Sequence, residues 1–304
     1  MSILKLENVV KTYEQHTAVD NVSFEVPKGS IFGLLGPNGA GKTSLIRIIT
    51  TITGADSGTV FLDGEKLNSR HPGQIGYMPE ERGLYKKMKV GNHLLYLAQL
   101  KGLSAKEARE QIAYWFNKFS IEDWWDKKVE ELSKGMQQKI QFIATVIHRP
   151  KLLILDEPFS GLDPINTNII KSEIDEMHNN GTSIIFSTHR MEQVEEICEH
   201  IVLINQGKKV LEGEVARIRD QFKDNLYKIS FQGTLPDDIQ SLDAADDSYQ
   251  IVSQNAEEIT VRAEEERASN HLLNHLIKSG VYIRSFNEIL PTLNEIFIKQ
   301  VEGT

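Results

Sequence analysis

One segment constrains the fold of this chain more than any other, a glycine-rich loop at residues 36–43 that reads Gly-Pro-Asn-Gly-Ala-Gly-Lys-Thr. It matches the pattern G-x-x-x-x-G-K-[ST] without deviation. An apolar stretch typical of a buried strand ends at Leu35, and an amphipathic helical pattern begins at Lys42. A strand, a phosphate-cradling loop and a helix in this order predict a P-loop NTPase of the α/β class, with a mostly parallel core sheet.

The residue types in this loop suit the binding of a nucleoside triphosphate. Glycines let the backbone wrap around phosphate with its N–H groups pointing inward, and the helix N-terminus adds a partial positive charge. We expect Lys42 to reach the β- and γ-phosphates and the Thr43 hydroxyl to bind Mg²⁺. The predicted phosphate-binding residues are Gly36, Asn38, Gly39, Gly41, Lys42, Thr43 and Ser44.

Two acidic residues, Asp156 and Glu157, follow an apolar strand predicted at Leu152–Leu155. Successive strand residues point to opposite sides, so the two carboxylates are suited to different tasks. We expect Asp156 to hold Mg²⁺ through its hydration shell and Glu157 to deprotonate the attacking water. His189 follows the next predicted strand, Ser183–Ser187. Neighbouring parallel strands end at the same sheet edge, which places His189 near the γ-phosphate as a donor.

The pattern of apolar residues predicts two domains, residues 1–220 and 221–304. In the first, strands alternate with helices except in a helical insert at about residues 86–150, with helices at Asn92–Lys101, Ala105–Phe119 and Ser133–His148. The second has the order β-α-β-β-α-β plus a closing helix, which predicts a small α+β domain of ferredoxin-like arrangement. Its predicted elements are Leu226–Phe231, Pro236–Leu242, Tyr249–Ser253, Ile259–Arg262, Ala268–Ser279, Val281–Phe286 and Thr292–Val301.

Charge, cysteine content and apolar runs indicate which partners and which cellular compartment to expect for this chain. The net charge is −9, and residues 221–304 carry 14 acidic and 7 basic side chains, which argues against a nucleic-acid partner. The single cysteine, Cys198, suits a reducing compartment. The chain shows neither a signal-peptide pattern nor an apolar run of the roughly 20 residues that a membrane span requires. We therefore expect a cytoplasmic protein whose membrane part, if any, is another chain.

Residues 132–138, Leu-Ser-Lys-Gly-Met-Gln-Gln, open a helix and resemble the LSGGQ signature of ABC ATPases. The resemblance covers roughly residues 2–218. In that family the signature of one subunit faces the γ-phosphate held by the P-loop of the other, so two chains enclose two ATP molecules. The resemblance implies that Ser133 and Gly135 contact the partner's nucleotide. It also implies that Asp163 lies at the dimer seam and that Tyr13 stacks on adenine.

Three positions depart from the family pattern. Lys134 replaces the first of the paired signature glycines, and Met136 stands where glutamine is usual. Glu80 also replaces a glutamine that in the family touches the Mg²⁺ site and reports ATP to the membrane partner. We expect Glu80 to act as an oxygen ligand of Mg²⁺. Its extra negative charge either tightens Mg²⁺ binding or repels phosphate until the metal arrives.

The residues from Glu80 to Tyr85 and the segment 289–297 resemble ABC-2-type exporter ATPases of the sodium-extrusion (NatA-like) subfamily. This resemblance implies ATP-driven export through separate integral membrane permease subunits, at the inner face of the membrane. The second ATP-binding subunit is expected to be another copy of this chain, as a homodimer, and a paralogue is the alternative. Two alternatives stay open. One is an importer ATPase whose C-terminal domain binds the transported solute as a brake. The other is an ABC ATPase without a transport role, although the single set of motifs and the acidic charge count against it.

Overall fold

The computed structural model describes residues 1–81, 83–235, 249–264 and 268–302 of the chain, which divides into two units. The units are Met1–Val215 and Ala216–Thr304. The division falls within a helix that spans Val215–Gln221. The domain boundary predicted after residue 220 lies in the same helix.

Two β-sheets form the framework of the first unit. In chain order its strands are β1 (Ser2–Tyr13), β2 (His16–Pro27), β3 (Ile31–Leu35), β4 (Ser57–Leu62), β5 (Glu65–Lys66), β6 (Ile75–Met78), β7 (Leu152–Asp156), β8 (Ser183–Thr188), β9 (His200–Asn205) and β10 (Lys208–Glu214). The larger sheet has the order β10-β9-β3-β8-β7-β6, and all its pairs are parallel except β9 with β10. The predicted mostly parallel core sheet is thus confirmed. A smaller antiparallel sheet, β2-β1-β4-β5, accompanies it.

The central strands of the larger sheet bring three chain segments to one edge. Strands β3, β7 and β8 are buried at every residue, as continuous apolar strands covered on both faces should be. Strand β8 lies between β3 and β7. Because the three strands are parallel, the segments that follow them emerge side by side. These segments are the glycine-rich loop, the Asp156–Glu157 pair and the His189 turn.

The helices of the first unit are α1 (Lys42–Ile49), α2 (Val90–Leu100), α3 (Ala105–Phe119), α4 (Lys134–Val146), α5 (Pro164–Asn179) and α6 (Met191–Ile197), and α7 (Val215–Gln221) follows. Short 3₁₀ turns occupy His71–Gln74, Glu122–Trp124 and Val129–Glu131. The three predicted insert helices are confirmed as α2, α3 and α4, with ends shifted by one or two residues. Within the insert, the ring of Trp115 packs against Phe119 and Phe142 at centroid distances of 5.6 and 5.9 Å.

Helix α1 is anchored in a core that joins both sheets. Its buried residues Leu45, Ile46 and Ile49 belong to one apolar cluster with side chains from β1, β2, β3 and β7. The rings of Phe24 and Phe32 stack in that cluster at 5.7 Å. Burial on this scale stabilises each large side chain by about 2 kcal/mol. The glycine-rich loop is therefore held between two fixed elements, β3 and α1.

The second unit is an antiparallel sheet with helices. Its described elements are β11 (Leu226–Gln232), β12 (Tyr249–Gln254), β13 (Glu258–Ala263), α8 (Ala268–Lys278), β14 (Tyr282–Ile289) and α9 (Leu293–Glu302). The strand order is β12-β13-β11-β14, so the first strand lies between the third and the fourth, as a ferredoxin-like arrangement requires. The helix predicted at Pro236–Leu242 lies outside the described residues. No helix in the described part of the chain has the length and apolarity needed to cross a bilayer.

Candidate nucleotide-binding and catalytic site

The glycine-rich loop requires glycine at Gly36 and Gly41 for two separate reasons. Their φ angles are +147° and +109°, values that residues with a Cβ rarely adopt. A Cβ on Gly36 would also collide with the carbonyl oxygen of Ile204, and one on Gly41 with that of Ala18. The loop therefore packs directly against the backbone of strands β9 and β2. This close packing fixes the shape of the loop.

The ammonium group of Lys42 lies within the curve of the loop. The side chain is 7% exposed and donates hydrogen bonds to the carbonyl oxygens of Gly36 and Pro37 at 2.7 and 3.1 Å. Burial lowers the pKa of Lys42, and three nearby carboxylates act in the opposite direction. In order of effect these carboxylates are Glu157, Asp156 and Glu80. A cation beside carboxylates is the charge pattern of a site for phosphate and a divalent cation.

Asp156 is buried at the end of β7, opposite Ser187 of β8. The Ser187 hydroxyl donates to Asp156 Oδ1 at 2.7 Å. Burial is the main reason why the pKa of Asp156 is raised, the Ser187 hydrogen bond opposes it, and the neighbouring acids Glu157 and Glu80 add to it. A bound divalent cation would compensate the buried negative charge. The surroundings of Asp156 therefore suit a metal-proximal carboxylate.

Glu157 adopts the left-handed backbone conformation, with φ +49°. Such a conformation in a non-glycine residue is typical of functional sites, where the surrounding contacts must hold it. Here its carboxylate accepts hydrogen bonds from the Thr188 hydroxyl at 3.0 Å and from the backbone N–H of His189 at 2.9 Å. The Nδ1 atom of the His189 ring lies 2.6 Å from the same carboxylate. The structure thus brings Glu157 and His189 together at one sheet edge.

These groups face a cleft of about 280 Å³. Most of the predicted site residues line it: Tyr13, Asn38, Gly39, Gly41, Lys42, Thr43, Ser44, Glu80, Asp156 and Glu157. The sequence interpretation missed three further lining residues, His16, Ala18 and Ala40. Gly36 is not among the lining residues, although its conformation shapes the loop. His189 does not line the cleft, and its ring contacts Glu157, which does.

The cleft offers oxygen donors of the kind that Mg²⁺ prefers. Thr43, Glu80 and Asp156, the predicted metal residues, all line it, and hydroxyl and carboxylate oxygens are suitable ligands. Among the described residues no three His, Cys, Asp or Glu side chains converge on a metal position. The residues present therefore fit a Mg²⁺ ion whose shell is completed by nucleotide oxygens and water, as is usual for this ion.

The aromatic end of the cleft is built by the β1–β2 hairpin. Tyr13 lies at the tip of this hairpin and is 39% exposed. The ammonium group of Lys11 lies 5.4 Å from the centroid of the Tyr13 ring. Lys11 is itself paired with Asp56 at 2.6 Å. The cation covers one part of the ring and Asp56 fixes the cation. Tyr13 is thus a supported aromatic surface at the mouth of the cleft.

The signature residues lie elsewhere on the first unit. Ser133 caps α4 by accepting a hydrogen bond from the Met136 backbone N–H at 3.3 Å, and Asp163 caps α5 through Asn166 at 2.9 Å. A Cβ on Gly135 would approach the Asn166 side chain to 3.1 Å, so the two helix starts are neighbours. Ser133, Gly135 and Asp163 do not line the cleft of their own chain.

Helix α4 nevertheless connects with the catalytic segments of its own chain. The buried amide of Gln138 donates to the carbonyl oxygen of Pro158 at 3.0 Å. Gln141 donates to that of Pro79 at 2.7 Å. The two acceptors are the neighbours of Glu157 and Glu80. A shift of α4 would therefore displace the backbone next to both acidic residues. No sequence pattern predicted these two contacts.

The fold and the cleft together define a P-loop ATPase. The family model described as ABC transporter matches residues 19–160, and the model described as ATP-binding protein DrrA1-3-like, C-terminal domain, matches residues 213–301. The chain belongs to the ATP-binding proteins of ABC transporters. It is 42% identical to the uncharacterized ABC transporter ATP-binding protein YhaQ of Bacillus subtilis. The alignment spans 299 residues, which is 98% of this chain and 98% of YhaQ.

Two further similarities concern an exporter and a solved structure. The Nod factor export ATP-binding protein I of Cupriavidus metallidurans is 36% identical over 222 residues, 72% of this chain and 73% of that protein. A solved ATP-binding subunit of an ABC transporter superimposes with a TM-score of 0.68 at 29% identity, covering 73% of this chain and 93% of that chain. The chain is therefore an ATP-binding and ATP-hydrolysing subunit of the ABC transporter family.

Proposed function

We propose that this chain drives export as the ATPase of an ABC-2-type transporter of the sodium-extrusion subfamily, as a homodimer at the inner face of the membrane. Residues 1–220 would hydrolyse ATP, and residues 221–304 would form an accessory domain. The observation that carries the proposal is the cleft itself. It unites the P-loop, Asp156 and the Glu157–His189 pair, while the signature residues of the same chain lie outside it.

Each side chain in the cleft then has a task that follows from its position. Lys42 holds the β- and γ-phosphates in place of the loop carbonyls that it contacts in this structure. Glu157 takes a proton from the attacking water, and Thr188 and His189 hold its carboxylate in one orientation. Mg²⁺, held by Thr43, Asp156 and Glu80, would supply charge neutralisation on the phosphates. Tyr13 stacks on the adenine ring.

The proposal of a dimer rests on the position of the signature residues, which lie outside the nucleotide cleft of their own chain. Ser133 is exposed at the start of α4, a helix N-terminus with free N–H groups suited to phosphate. Its own cleft does not include it. A second copy, placed head to tail, brings Ser133 and Gly135 to the open side of the nucleotide, with Asp163 at the seam. ATP then gains contacts from both chains only in the closed dimer, which makes closure the step that moves the permease.

A groove of about 400 Å³ beside Glu80 suits a cytoplasmic helix of the permease. Its wall is largely apolar, and the residues that matter here are Tyr77, Pro79, Leu84, Leu97 and Leu100. Leu100 is 64% exposed. Gln141 binds Pro79 in the wall of the groove, next to Glu80 in the nucleotide cleft. A helix seated in this groove is therefore one residue away from a group that faces the nucleotide.

The direction of transport is supported by two similarities. The C-terminal unit matches the DrrA1-3-like domain over residues 213–301, and the first unit is similar to a Nod factor export protein. An importer whose C-terminal domain senses solute is the alternative that the sequence leaves open. It predicts that the transported solute raises the melting temperature of the full chain.

The decisive experiment labels an introduced surface cysteine. The one native cysteine, Cys198, is buried, so the introduced cysteine is the one that reacts with the label. Leu100→Cys in the full chain, labelled with a photo-crosslinker in native membranes, should give an adduct with an integral membrane protein. Ile52→Cys, also exposed, is the matched control and should give none. In vesicles that contain that membrane protein and this chain, ATP should then drive the substrate outward, that is, away from the membrane face that carries this chain. Equal adducts from both positions, or inward movement, would overturn the proposal.

A further inference from the structure

His16 is a cleft residue that neither the sequence pattern nor the proposed function uses. It is the Cα partner of Tyr13 in the β1–β2 register, and directly opposed residues of two antiparallel strands project their side chains from the same face. Tyr13, His16 and Ala18 all line the nucleotide cleft. This face of the hairpin is thus one continuous wall of the cleft.

The two ends of that wall are fixed to different parts of the nucleotide site. At one end, Tyr13 is supported by Lys11, with the ammonium group 5.4 Å from the ring centroid. At the other end, the carbonyl of Ala18 packs against the backbone of Gly41 so closely that a Cβ there would collide with it. The wall therefore runs from the expected position of the adenine ring to the phosphate loop.

His16 lies between these ends. It is two residues from Ala18, which is about 7 Å along an extended strand. A nucleotide with its base on Tyr13 and its terminal phosphates on the loop has its ribose and α-phosphate between those two parts. The imidazole of His16 is consequently placed beside the ribose and the α-phosphate.

The chemistry of the imidazole suits this position. One ring nitrogen donates and the other accepts a hydrogen bond in the neutral form, and both ribose hydroxyls and phosphate oxygens can pair with such groups. The His16 side chain is exposed. It makes no side-chain hydrogen bond or ion pair with the part of the chain that the structure describes. Its hydrogen-bonding capacity is therefore available to a ligand in the cleft.

We propose that His16 binds the ribose–α-phosphate part of ATP and acts as a second nucleotide-binding residue of the hairpin beside Tyr13. The inference rests on the proposed role of Tyr13 as the adenine platform. Loss of one such hydrogen bond corresponds to about a three- to tenfold loss of affinity.

The test is calorimetric binding of ATP and of inorganic tripolyphosphate, which has neither ribose nor base, to the full chain and its variants. His16→Ala should raise the Kd for ATP about three- to tenfold and leave the Kd for tripolyphosphate unchanged. His16→Gln, which keeps a donor and an acceptor, should recover part of the loss. Thr17→Ala is the matched control, because Thr17 is the next residue of β2, pairs with Thr12 and lies outside the cleft lining.

The outcomes separate this inference from the proposed function. An unchanged Kd for ATP in His16→Ala overturns the inference, and so does an equal weakening of tripolyphosphate, which would indicate a disturbed loop. Failure of the unmodified chain to bind ATP overturns both. If Tyr13→Ala binds ATP with an unchanged Kd, Tyr13 is not the adenine platform, and the premise that places the ribose beside His16 falls together with the inference.

Discussion

The ring Nδ1 of His189 lies 2.6 Å from Oε1 of Glu157, and the backbone N–H of the same histidine donates to that oxygen at 2.9 Å. An ionised carboxylate only accepts hydrogen bonds, so Nδ1 must carry the proton of the shorter one. In a neutral ring the opposite nitrogen, Nε2, is then an acceptor. For His189 to donate to a γ-phosphate while it holds Glu157, its ring must carry two protons. The two residues therefore form one hydrogen-bonded unit.

Replacing Glu157 by glutamine should stop turnover without preventing nucleotide binding. The amide has nearly the same shape but cannot accept a proton from water. We expect hydrolysis to fall at least about 100-fold, the usual scale for loss of a general base, and an ATP-bound dimer to accumulate. Phosphate release and size-exclusion chromatography with ATP measure the two effects. Glu110→Gln, an exposed change on α3, is the control. Near-normal turnover in Glu157→Gln would remove Glu157 from the catalytic role.

The contact between His189 and Glu157 predicts non-additive kinetics. His189→Ala removes two supports at once, the ring contact to Glu157 and the donor near the γ-phosphate, so we expect kcat to fall about 100-fold. In the double variant with Glu157→Gln the further loss should be small, because residues that act as a unit do not add their effects. A four-point cycle of kcat values measures this. Full additivity of the two losses would show that the residues work independently.

Glu80 should control the affinity for Mg²⁺ rather than the maximal rate. It lines the cleft with Asp156 and contributes to raising the pKa of that residue, so the two carboxylates interact electrostatically. Glu80→Gln removes one negative charge and should shift the Mg²⁺ titration of ATP binding to about tenfold higher concentration, with near-normal turnover at saturation. Glu81→Gln is the matched control, since Glu81 is the adjacent exposed acid and lies outside the lining. Coinciding titration curves would exclude Glu80 from the metal site.

His93 should make the first unit sensitive to acid. It is fully buried on α2, and neither of its ring nitrogens has a hydrogen-bond partner among the residues that the structure describes. Burial lowers the pKa of His93 to about 4. Below about pH 6.5 the unfolded chain binds a proton that the folded chain refuses, so stability is lost as the pH falls towards 4, by up to about 3 kcal/mol. Above pH 6.5 both states are neutral at this site and the effect disappears.

A variant isolates this contribution from that of the acidic residues. His93→Leu removes the two unpaired nitrogens at similar volume, so its melting temperature should exceed that of the unmodified chain more at pH 5 than at pH 7. His271→Leu, an exposed change on α8, should show the same difference from the unmodified chain at both pH values. If the advantage of His93→Leu does not grow on acidification, the imidazole is protonated in the folded state.

The predictable parts of this molecule are those in which local sequence and fold agree. Strands β3, β7 and β8 are continuous apolar runs, and the meeting of their carboxyl ends follows from parallel pairing. The smaller antiparallel sheet of the first unit, β2-β1-β4-β5, was not predicted. The β1–β2 pairing contains four register shifts, which interrupt the alternation of apolar and polar residues. His16 was missed for a related reason. The hairpin turn at Glu14 and Gln15 carries no Asn-Gly type signal, so the pairing of residue 16 with residue 13 cannot be read from the sequence.

The packing of Gly41 on Ala18 yields a prediction about the loop. An alanine at position 41 would have both the unfavourable φ of +109° and a Cβ in collision with the Ala18 carbonyl, so the loop or β2 must move. We expect Gly41→Ala to weaken ATP binding at least about tenfold, because N–H groups of the loop leave their positions around the phosphates. Gly64→Ala separates the two causes, since Gly64 has φ +83° and open space around it. It should lower stability by about 1 kcal/mol and leave the Kd for ATP unchanged. Equal Kd values for both variants would show that the contact between the loop and β2 does not hold the phosphate site.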